Sequence, residues 1–80
     1  MSNLTDVLES SGYTQEESGN WRIGSESHYA ELMREGDLMV LRTVSTVCAT
    51  KTDLSALHME SVYKRIRNAG SWANQTEVAG

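Results

Sequence analysis

Residues 28–47, HYAELMREGDLMVLRTVSTV, decide the fold. Two readings of the first half compete. Ala30, Glu31, Leu32, Met33, Arg34 and Glu35 are all good helix formers, and Ser27 stands where a helix cap would. The alternative is a β-hairpin with a two-residue turn at Gly36-Asp37, a pair suited to a tight primed turn. In that register Glu31 faces Arg42, Leu32 faces Leu41 and Met33 faces Val40. An antiparallel ladder rewards opposed charges and matched apolar pairs, so the hairpin is the preferred reading. Its second arm, Leu38 to Val47, is rich in β-branched residues: Val40, Thr43, Val44, Thr46 and Val47.

Upstream, Ser18-Gly19-Asn20 reads as a turn, and Trp21 and Ile23 alternate with polar neighbours as a strand does. Tyr13 opens a polar stretch, and Gly24 to Ser27 reads as a second loop. Before them, Asn3 or Ser2 caps a short first helix with Leu4, Val7 and Leu8 on one stripe, stopped at Gly12. Downstream, Cys48 to Thr52 reads as a loop, and Thr52 or Asp53 as the cap of a second helix reaching about Ala69. Leu54, Val62, Ile66 and Ala69, with Met59 beside them, line one side of that helix, and Gly70 terminates it.

The expected architecture is α+β: a helix, a three- or four-stranded antiparallel sheet and a helix, both helices on one face of the sheet. Residues 1–70 form the single domain and 71–80 a loose tail, from which Trp72 is able to tuck back. At 80 residues there is room for one core and little else. No apolar run approaches the roughly 20 residues a membrane helix needs, and the first residues lack a signal-peptide pattern. A lone cysteine forms no internal disulfide, which fits a cytoplasmic setting.

Catalytic and metal chemistry find little support. His28, His58 and Cys48 are far apart and show no paired ligand spacing, so neither a metal nor another cofactor is expected. Cys48 reads as a small apolar residue closing a strand, and His58 as a boundary histidine on the second helix. Adjacent acids such as Glu16-Glu17 read as solvated surface, and the glycines form no phosphate-binding pattern. The expected class is a non-enzyme.

Charge carries the functional reading. The net charge is −4, against direct nucleic-acid binding, which needs clustered Lys and Arg. Residues 1–40 hold eight acids against Arg22 and Arg34, whereas residues 41–80 hold five bases against three acids. The leading expectation is a protein-binding module that docks an acidic face on a basic groove of a nucleic-acid-handling complex. Phage-encoded inhibitors, anti-CRISPR proteins among them, are small acidic proteins of this kind. Partner-binding candidates are Glu16, Glu17, Glu26, Glu31, Glu35, Asp37 and Trp72. An alternative is a module that contacts RNA or DNA through Lys51, Lys64, Arg65 and Arg67. The order helix, three strands, helix is that of double-stranded-RNA-binding domains and HicA-like toxins. Val7 to Tyr13 followed by Gly19-Asn20-Trp21 resembles the HicA start. The catalytic histidine that family places after the loop glycine is missing, so membership is not assigned. A third reading is a self-associating subunit that uses an exposed hairpin edge; the oligomeric state expected is a monomer or weak homodimer.

Overall fold

The protein is described by a computed structural model covering residues 3–74. In chain order its elements are α1 (Leu4–Ser10), β1 (Thr14–Gln15), β2 (Trp21–Gly24), β3 (Tyr29–Glu35), β4 (Leu38–Val44), β5 (Ala49–Asp53) and α2 (Met59–Ala73). The strands form one antiparallel meander in the order β1-β2-β3-β4-β5. The sheet therefore has five strands, not three or four.

The hairpin forms in the expected register, with Glu31 opposite Arg42, Leu32 opposite Leu41 and Met33 opposite Val40. Its second arm ends at Val44 and not at Val47, which is exposed in the following turn. Gly36 takes φ 63° while Asp37 does not have positive φ, the sign pattern of a type II′ turn. Residues paired directly across a ladder share a face, so the register sorts every side chain. Trp21, Ile23, Ala30, Leu32, Met39 and Leu41 lie on one face, and both helices pack there around Val7, Leu8, Val62, Ile66 and Ala69. Fully burying side chains such as Leu8, Leu54 and Ile66 stabilises the fold by about 1.5–3 kcal/mol each.

Two expectations fail in the segment after β4. Residues 49–53 form strand β5, not a loop, and α2 begins at Met59, not beside Asp53. Asp53 does act as a cap, but of a turn: its Oδ1 accepts from the Ser55 N–H at 2.9 Å. The Ser55 hydroxyl oxygen accepts from the Met39 N–H, also at 2.9 Å, and ties the turn back to β4. Leu54, expected on the helix, is buried in this joint instead.

The C-terminal end differs too. Gly70 lies inside α2 with no left-handed conformation. Its missing side chain matters for packing, since a Cβ there would come within 3.1 Å of the Tyr13 ring. Tyr13, read as the start of a polar stretch, is buried in the core and its hydroxyl donates to the Ile66 carbonyl at 2.8 Å. α2 continues to Ala73, so residues 71–73 are helix and not tail, while 75–80 lie outside the described residues.

Candidate interaction surfaces

The sheet face away from the helices is uncovered. Its register rows run across the strands. One row holds Tyr29, Val44 and Ala49, the next Thr14, Arg22, Glu31, Arg42 and Lys51, and the third Met33, Val40 and Asp53. The Arg22 guanidinium stacks 3.8 Å from the Tyr29 ring centre. Val40 is only 3% exposed although no helix covers it. Glu35 on β3 and Lys51 on β5, the strands to either side of β4, form an ion pair at 3.9 Å across it. Both partners are about half exposed, so the pair adds little stability.

This face disperses part of the expected acidic set. Glu31 accepts from Asn20 Nδ2 at 3.5 Å and sits in a row between Arg22 and Arg42. Glu26 lies in the β2–β3 loop, at the end of the sheet opposite the β3–β4 turn. The acids of the first half-chain thus interleave with bases of the second, because β3 pairs directly with β4.

The remaining acids come together. In a meander, alternate turns fall at the same end, so the β1–β2 turn with Glu16 and Glu17 shares an end with Glu35 and Asp37 of the β3–β4 turn. Asp53 closes β5 at that same end. The Ser55 backbone N–H, then the Ser55 hydroxyl, hold the Asp53 carboxyl below the usual carboxylate range, so it stays charged. A cleft of about 390 Å³ opens here between the start of α1 and the sheet, lined by Leu4, Leu8, Trp21, Leu32, Arg34 and Met39 among others. Acids therefore flank a recess of mixed lining, with Asn3, Thr5, Gln15 and Arg34 beside the apolar residues and a half-buried tryptophan.

Trp72 is not part of this end. It packs on the core from the last turn of α2, with its ring stacked on His28 at 4.0 Å between centroids. The His28 Nε2–H donates to the Trp72 carbonyl at 3.2 Å, pinning the helix end to the β2–β3 loop.

The alternative basic set is split. Lys64, Arg65 and Arg67 are exposed on α2, above the covered face, whereas Lys51 lies on the open face. The open face contributes Arg22 and Arg42 instead, neither of which the sequence reading selected. The signal was there in the pairing register, which places Arg22, Arg42 and Lys51 in one row.

Cys48 does not close a strand in the core; it is exposed in the β4–β5 turn. His58 is exposed at the N-cap of α2 and makes no side-chain capping bond, so it is not a boundary residue either. Among the described residues no three of His, Cys, Asp and Glu gather as a metal site, and no helix is long and apolar enough to cross a membrane. Comparison with known proteins returns no matching family model, no matching curated protein and no matching solved structure.

Proposed function

We propose that this chain is a non-enzymatic, cytoplasmic protein-binding module that docks the acidic end of its sheet on a basic groove of a partner. One observation carries this reading: the meander gathers Glu16, Glu17, Glu35 and Asp37 at one end, beside the Trp21 cleft. Acids steer a positively charged partner and set orientation, while the half-buried Trp21 in the recess supplies contact energy. A groove built for nucleic acid has the matching charge, so the partner class is a nucleic-acid-handling complex and the role is inhibition by occupancy, as in phage-type, anti-CRISPR-like inhibitors. Direct nucleic-acid binding fits less well, because Lys51 and the α2 bases face opposite sides of the molecule.

Affinity capture of the tagged protein from host lysate, with and without nuclease, tests the proposal. The expected result is a stoichiometric protein partner that survives nuclease and dissociates as salt is raised. Loss of every partner after nuclease treatment would overturn it.

A further inference from the structure

The two edges of the sheet are unequal. β1 is only two residues long, whereas β5 presents five residues along the other edge. Helix α2 packs chiefly over β2 and β3, and no residue of β5 belongs to the buried core; its helix-side positions are threonines, Thr50 exposed and Thr52 half-buried. Thr50 instead shares a hydroxyl hydrogen bond with Thr43.

The hydrogen-bond alternation tells which backbone groups of β5 are free. The Leu54 N–H donates to the Met39 carbonyl at 2.8 Å, and the Ser45 N–H donates to the Cys48 carbonyl at 2.8 Å. Even-numbered residues of this strand therefore face β4. The N–H and C=O groups of Ala49, Lys51 and Asp53 point away from the sheet, a template for another strand.

We propose that β5 pairs antiparallel with β5 of a second copy, across a two-fold axis at Thr52. In that register Lys51 of each copy stands opposite Asp53 of the other, both on the open face, and the two outward-facing pairs exchange about four main-chain hydrogen bonds. Shifting the register by one pair to centre on Lys51 would set lysine against lysine, so charge selects the first alignment. The product is a continuous ten-stranded sheet whose acidic ends point in opposite directions, each free to meet a partner. The overlap is short, so the area buried is well below the roughly 1,200 Å² of a standard interface and the dimer is weak. This inference is independent of the acidic end.

Sedimentation of the full chain from about 10 μM to about 1 mM is the test. The mass should rise with concentration from 8.9 kDa toward twice that value. Lys51→Pro should stay at single-chain mass with an unchanged far-UV spectrum, because the N–H it removes points outward and serves no bond within the sheet. Lys51→Asp, which leaves the backbone intact and places acid against acid, should weaken association at least tenfold. A wild-type chain at single-chain mass throughout would overturn the proposal, as would dimerisation of Lys51→Asp equal to that of wild type.

Discussion

Single residues here act through burial and one or two hydrogen bonds. Tyr13 combines both: its ring fills the space above Gly70 and its hydroxyl meets the Ile66 carbonyl. Burial penalises the phenolate and pushes the Tyr13 pKa well up from its ordinary value of about 10. The stability tied to its proton is fully present below pH about 10 and falls as pH rises toward the folded value. Tyr13→Phe should cost about 1 kcal/mol in urea denaturation at neutral pH and remove that alkaline loss. Asp53 works at the other end of the scale. Its lowered pKa adds stability present above the ordinary carboxylate value, lost as pH falls through the folded one, so Asp53→Asn should flatten the acid limb of a stability–pH curve. Gly24 is the most demanding position. It holds φ 114°, and a Cβ there would strike the His28 carbonyl and Tyr29 Cα. Gly24→Ala should lower stability by about 3 kcal/mol or more in the same urea titration, since strained φ and a backbone clash add. None of this was legible in the sequence. Tyr13 stands among polar neighbours, and the left-handed strain at Gly24 depends on where β3 returns.

At the scale of elements, legibility followed the kind of side chain that carries the signal. The central hairpin was readable to its register because Glu31 and Arg42, and Leu32 and Leu41, are pairs with opposite requirements that only one alignment meets. Strand β5 was not. Ala49-Thr50-Lys51-Thr52-Asp53 has no apolar alternation, because neither of its faces meets the core. The missed strand in turn misplaced the start of α2, since Thr52 and Asp53 have the chemistry of helix caps and Asp53 spends it on the Ser55 turn. The helix face was correct at Val62, Ile66 and Ala69, which are buried, but Met59, expected beside them, is exposed. The joint between β5 and α2 is therefore a structural element in its own right. Leu54→Ala, at 1% exposure, should cost about 2–5 kcal/mol in thermal or urea unfolding, as a core position does, despite lying between elements.

The whole molecule turns a charge imbalance along the chain into one along an axis. An acidic first half and a basic second half do not become two faces, because pairing of β3 with β4 and of β4 with β5 interleaves them. The meander stacks alternate turns at one end and so brings their acids together, with Glu35 of that group also ion-paired to Lys51. Four of the acids singled out in the sequence, Glu16, Glu17, Glu35 and Asp37, share that end, whereas Glu26, Glu31 and Trp72 do not. That division is a property of topology and cannot be read from spacing. It also separates local from overall charge as the source of binding. The measurement that tests this most directly compares two double variants of equal net charge, Glu16→Lys with Asp37→Lys and Glu9→Lys with Glu26→Lys, for retention of the captured protein partner. The account predicts that the first pair weakens retention at least tenfold while the second stays within about threefold of wild type, both with native circular dichroism. Equal loss in both pairs, or retention in the first, would contradict the acidic end as the docking surface.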